Sequence, residues 1–194
     1  MLPSFIVTKA NVMKNVIVVF FVLLLAGCSS HRSVVNMHSN KAVDGVKTGM
    51  TISKAVAKAG RGAVVEKAII PAYEGQPTQV EYKVVDGKTL LYTFNAGPDG
   101  KSKESVFRIV IYNSKYKSPE GLSVGSTVKE IRSKSKLKAA DFNQEDGLFV
   151  TSASFDGGFL LNLNTSKEYK GFDYVQPTVS TLPDELTVKA IVIF

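Results

Sequence analysis

Two rhythms of apolar and polar positions run along this chain. Val80-Glu81-Tyr82-Lys83-Val84 alternates with period two, Asp86-Gly87 is a two-residue hairpin signal, and Leu90-Leu91-Tyr92-Thr93-Phe94 returns. A second set has the same form: Phe149-Val150-Thr151, then Asp156-Gly157, then Phe159-Leu160-Leu161-Asn162-Leu163. β-Branched runs at residues 106–111 and 188–194 close each set and read as further strands. Helical signals precede both. Thr51 is a good N-cap for a short helix through Val56 to Ala59 that stops at Gly60. Thr127, with Glu130 three residues later, forms a capping box, and its helix runs through Ile131 into a lysine-rich stretch.

The two helix starts align. Residues 45–52 and 121–128 share Gly, Gly and Thr at matching columns, and each helix is followed by strands. The pattern predicts an α+β fold: a tandem repeat of a short helix plus about three antiparallel strands, with the helices on one face of the sheet. The first unit would span residues 45–118 and the second 119–194. One short helix per unit is the expected cover for an amphipathic sheet.

The N-terminal region follows another logic. Lys14 precedes an uncharged run over residues 16–26, too short for a span of about 20 residues. Leu25-Ala26-Gly27-Cys28 follows directly, and Cys28 is the single cysteine of the chain. A positive region, a short apolar region and small residues make a secretory signal, here residues 1–27. Met13 offers a second start, since Met13-Lys14 would lead straight into the apolar run. The four residues ending at Cys28 resemble the lipobox of bacterial lipoproteins. That resemblance implies cleavage before Cys28, a diacylglycerol on its sulfur and an N-acyl chain such as palmitate on its amine. Several acyl chains anchor stably where one does not. Ser29 at the next position resembles the signal for the outer membrane rather than inner-membrane retention, with the domain facing the periplasm. Residues 28–44 carry no sustained apolar period and read as a flexible tether, roughly 20–25 Å on average.

Charge adds a question. The formal net charge is +7, with ten Lys/Arg against three acids in residues 101–138 and three against eight in residues 139–194. Either the middle segment meets an anionic partner or the two segments face each other. The chemistry of catalysis is largely missing. His31 and His38, the two histidines, both fall in the tether, so histidine-based triads and zinc sites lack their residues in the folded part. Residues 95–102 resemble the end of a phosphate loop without its first glycine. Residues 141–152 have calcium-like spacing, but Asp146 stands where the loop needs glycine and Ser152 where it needs glutamate. Adjacent carboxylates at Asp184-Glu185 point apart on extended chain. No cofactor beyond the lipid on Cys28, no metal, no nucleic acid and no enzymatic activity are expected.

Surfaces remain. Residues 164–183 form a long connection carrying Tyr169, Phe172 and Tyr174 beside Lys167 and Lys170. Tyr112, Lys115, Tyr116 and Lys117 form a second aromatic-basic stretch. Both read as candidate partner-binding anchors.

Two further resemblances rest on turn and capping residues. Gly49-Met50-Thr51, with Val56 and Gly60, looks like the helix start of the small outer-membrane assembly lipoproteins and of the β-lactamase-inhibitor-like fold. The strand at 106–111 followed by Gly121-x-x-x-Gly125-Ser126-Thr127-x-x-x-Ile131 is similar to a family of uncharacterised enterobacterial lipoproteins controlled by the envelope-stress sigma factor. Both imply a non-catalytic envelope protein that binds or stabilises a partner. The alternative they imply is an inhibitor or exclusion factor that occludes an enzyme or receptor.

Overall fold

Two four-stranded meanders meet side by side in one antiparallel sheet. The computed structural model describes residues 42–71, 78–97, 105–143, 147–163 and 177–194. These all belong to the second of the two compact units into which the chain divides, residues 32–194. The first meander is β3 (Val64–Ile70), β4 (Gln79–Asp86), β5 (Thr89–Ala96) and β6 (Val106–Ile111). The second is β7 (Leu137–Asn143), β8 (Gly147–Ser152), β9 (Gly157–Asn162) and β10 (Thr187–Ile193). Sheet order is β3-β4-β5-β6-β10-β9-β8-β7, so the last strand of each meander lies at the centre. There Ile111 pairs with Ile191 and Ile109 with Ile193. A small hairpin, β1 (Ala42–Val43) and β2 (Val46–Lys47), stands apart from this sheet.

The expected tandem α+β repeat is therefore corrected. The protein is mostly β, and its helices α1 (Ile52–Ala59) and α2 (Val128–Lys134) cover only 8 and 7 residues. The segments that follow them, β3 and β7, add a fourth strand to each half. Pairing of β6 with β10 then merges the halves into a single eight-stranded layer. Alternate residues of the central strands point to one face and form the main core. It contains Val84, Tyr92, Phe94, Ile109, Ile111, Phe159, Leu161 and Ile191. Ala55 and Ala59 of α1 and Val128 and Ile131 of α2 join the same core. Burying each large apolar chain contributes about 1.5–3 kcal/mol.

The aligned segments share local wiring. Gly49 N–H donates to Val106 O at 2.8 Å and Val106 N–H to Met50 O at 2.7 Å. In the other half Gly125 N–H donates to Val188 O at 2.9 Å and Val188 N–H to Ser126 O at 2.8 Å. Each helix start is thus stapled to the beginning of a central strand. The Thr127 capping box forms in full: Glu130 N–H donates to Thr127 Oγ1 at 3.2 Å and Thr127 N–H to Glu130 Oε2 at 2.8 Å. Thr51 occupies the N-cap of α1 but makes no side-chain capping bond. Helix α2 runs through Ile131 into the lysine-rich stretch and ends at Lys134, where Ser135 turns extended before β7 begins.

Ala42 and Val43, read from the sequence as tether, are buried and belong to the fold. Asp44 and Gly45 have φ of 48° and 79°, both positive as a type I′ hairpin requires. Tyr116 O–H donates to Asp44 Oδ2 at 2.7 Å and fastens this hairpin to the core. At the start of β9 the backbone of β8 passes so close that a Cβ on Gly158 would stand 2.1 Å from Val150 O.

Candidate functional site

The second face of the sheet carries its own apolar cluster. Val110 of β6 with Ala190 and Val192 of β10 are buried there, and Tyr112, Phe149 and Leu160 pack against them half-buried. All six lie on strands or directly after one, so the sheet alone builds this cluster. Strands β6 and β10 carry apolar residues on both faces for this reason, and Arg108 and Lys189 are the charged residues that interrupt their apolar runs.

A groove of about 230 Å³ opens over the cluster. Val110, Val192 and Leu160 line it together with the rings of Phe149 and Phe194. Those two rings meet edge to face, with centroids 6.0 Å apart and planes at 78°. Arg108 on β6 and Asp141 on β7 also line it. Their strands are four places apart in the sheet, roughly 19 Å at ordinary strand spacing. The volume is below the ~300–1,000 Å³ of small-molecule sites, so the groove suits a few side chains of a partner better than a whole cofactor.

Two buried polar groups flank it. Across the β5–β6 pairing Thr93 lies opposite Val110 and Asn95 opposite Arg108. Thr93 Oγ1 and Asn95 Oδ1 have no hydrogen-bond partner among the described residues. A buried polar atom in that condition costs about 1–3 kcal/mol.

The sequence-predicted anchors separate. Tyr112 is half-buried and lines the groove. Tyr116 is corrected from surface anchor to core residue: it is fully buried, bonded to Asp44 and edge-on to Tyr92 at 6.0 Å. Lys115 pairs with Asp86 at 3.6 Å. Tyr169, Phe172 and Tyr174 lie outside the described residues, as do Cys28, His31, His38 and residues 98–102 of the phosphate-loop-like run. The calcium-like run is a hairpin in which Asp141 pairs with Phe149 and Asn143 with Gly147. The basic middle and acidic last segments do touch, through the Arg132–Asp184 ion pair beside α2. Arg132 also donates to Val179 O and Leu182 O, each at 2.7 Å. Among the described residues no three of His, Cys, Asp and Glu gather as a metal site, and no helix is long and apolar enough to cross a membrane.

Sequence reasoning missed Arg108, Asp141, Phe149, Leu160 and Phe194 as groove residues. The signal was present in the outward positions of β8, β9 and β10, which are apolar where a solvated face would be polar.

A single antiparallel sheet, with short helices on one face and an apolar groove on the other, defines the class of fold. That fold is similar to the crystal structure of the uncharacterized protein YfeY from Escherichia coli, with a TM-score of 0.56 over 78% of this chain and 95% of that one. Identity is 14%, so the likeness speaks to fold alone. No protein-family model and no curated protein matches the sequence.

Proposed function

We propose that this is a lipid-anchored protein of the cell envelope that works without catalysis. Its anchor is Cys28 at the outer membrane, with the domain on the periplasmic side, and the second face of the sheet binds an envelope protein. The observation that carries the binding reading is the groove: an apolar floor with aromatic walls, lying on the face to which no described helix contributes. The lipobox-like residues Leu25 to Cys28 carry the anchoring reading. The lipobox resemblance and the two envelope-lipoprotein resemblances agree with it.

Fractionation tests the anchor. Wild-type protein is expected with the outer membrane and Cys28→Ala is not; a Cys28→Ala protein that still sediments there overturns it. For the groove, a photo-crosslinker at Phe149 is expected to give an adduct that Leu160→Lys abolishes. Equal adducts from a crosslinker at exposed Lys54 on α1 would sink the binding reading.

A further inference from the structure

Large apolar side chains left exposed among the described residues fall in two places: Val64, Ile69 and Ile70 on edge strand β3, and the pair Phe107 and Phe194. The two phenylalanines are 48% and 42% exposed and their ring centroids lie 6.4 Å apart. Phe149 extends the set, 6.0 Å from Phe194. Three rings thus form one apolar corner of the sheet. Scattered single apolar residues need no explanation, but a contiguous aromatic patch does.

The position of this corner says what meets it. On the side of Cys28 the first described residue is Ala42, which pairs with Lys47 in the small hairpin. The next residue, Thr48, donates its hydroxyl to Phe194 O at 3.3 Å. Gly49 N–H then donates to Val106 O, the residue before Phe107. The point of attachment and the aromatic corner are therefore backbone neighbours. Thirteen residues, 29–41, lie between Cys28 and Ala42 in the sequence. As a coil, that length of chain averages roughly 20 Å. A folded chain of about 150 residues is roughly 40 Å across, so the tether's average span is about half that width.

Resting on the reading that Cys28 carries lipid, we infer that the Phe107–Phe194 corner is seated on the bilayer interface that holds the anchor. Tethering keeps that surface at high effective concentration for whatever part of the domain lies nearest. Exposed aromatic rings are suited to the headgroup–acyl boundary, where apolar area leaves water without crossing the membrane. The β3 edge has comparable apolar exposure but lies three strands away from β6, whose first residue bonds to Gly49. Seated in this way, the domain would hold the mouth of the groove, which Phe194 lines, beside the lipid surface.

The chain contains no tryptophan, so one introduced indole reports without background. The experiment uses the full lipidated protein in phosphatidylcholine–phosphatidylglycerol vesicles, with and without brominated acyl chains. Phe107→Trp is expected to shift to the blue and lose about half its emission to the brominated lipid, since a ring in the interface lies within reach of the upper acyl carbons. Ile69→Trp, on the β3 edge, is expected to show neither change. Phe194→Trp provides the second reporter if Phe107→Trp does not fold. An unquenched corner indole that matches Ile69→Trp overturns the inference. So does a blue shift without quenching, which would mean that protein rather than lipid covers the ring. Vesicle flotation keeps the two readings apart. If the wild-type protein leaves the vesicles on washing, the anchor fails; if it floats with an unquenched corner, only the seating fails.

Discussion

The hydroxyl of Tyr116 reaches Asp44 Oδ2 at 2.7 Å from a ring that is itself fully buried, so Tyr116→Phe removes this bond and leaves the ring's packing. The edge-to-face contact with Tyr92, at 6.0 Å and 89°, survives the change. A hydrogen bond to a charged acceptor contributes about 1.5–3 kcal/mol, and Asp44 is only half-buried, so the lower figure applies. A loss of about 1.5 kcal/mol lowers Tm by roughly 3–6 °C in a domain of this size. Asp44→Gly deletes the acceptor while tolerating the φ of 48° at that position. Its backbone cost is the same with and without the tyrosine hydroxyl, so a double-mutant cycle cancels it. Urea unfolding of the wild-type protein, both single variants and the double variant, in one detergent, is expected to give a coupling of about 1–1.5 kcal/mol. Additive effects, with coupling below about 0.3 kcal/mol, would show that the hairpin is held without this bond. Tyr116→Ala would cost about 3–5 kcal/mol through the core, so any loss of partner binding in that variant reports unfolding, not recognition.

Helix caps and the glycine at the start of β9 yield two more expectations. Thr127→Ala is expected to lower stability by about 1 kcal/mol in thermal melts, and Thr51→Ala by a few tenths, because only Thr127 makes a capping bond. Equal losses would refute the cap assignments. Gly158→Ala is expected to cost at least about 2–3 kcal/mol in urea unfolding, since its methyl would meet Val150 O across β8–β9; a neutral result would show that the strands separate readily there.

The strands readable in the sequence are the interior ones. Residues 80–84, 90–94, 106–111, 149–151, 159–163 and 188–194 all fall on or overlap β4, β5, β6, β8, β9 and β10. The two of the eight-stranded sheet that escape, β3 and β7, are its edges. An edge strand buries little, so Val64 to Ile70 shows no clean alternation, and Leu137 to Asn143 is rich in Ala, Lys, Asp and Asn, which are poor strand formers. Missing both edges made a continuous sheet look like two smaller units. Turn chemistry was informative but slipped. The β4–β5 turn uses Gly87 and Lys88 rather than Asp86 and Gly87, and Asp156-Gly157 ends a longer connection. The true Asp-Gly turn, Asp44-Gly45, was taken for the end of the tether because its strands are two residues each. The groove was the least readable feature. It takes one residue each from β7, β8 and β9, and only the strand order brings them beside β6 and β10.

Placing β10 between β6 and β9 has a consequence for the order of assembly. The pairing of Ile111 with Ile191 closes eighty residues of chain. Loop closure on that scale costs about 4 kcal/mol before any contact repays it, and folding dominated by such distant pairings is slow. The first meander can zip up early, but its inner strand β6 then shows a bare edge until the last strand in chain order arrives. During that interval two half-sheets with unpaired apolar rims coexist, a state prone to pairing with neighbouring chains. On the proposal that residues 1–27 are an export signal, the same delay suits a polypeptide that crosses a membrane unfolded, since the middle of its sheet forms only after the last strand has passed through.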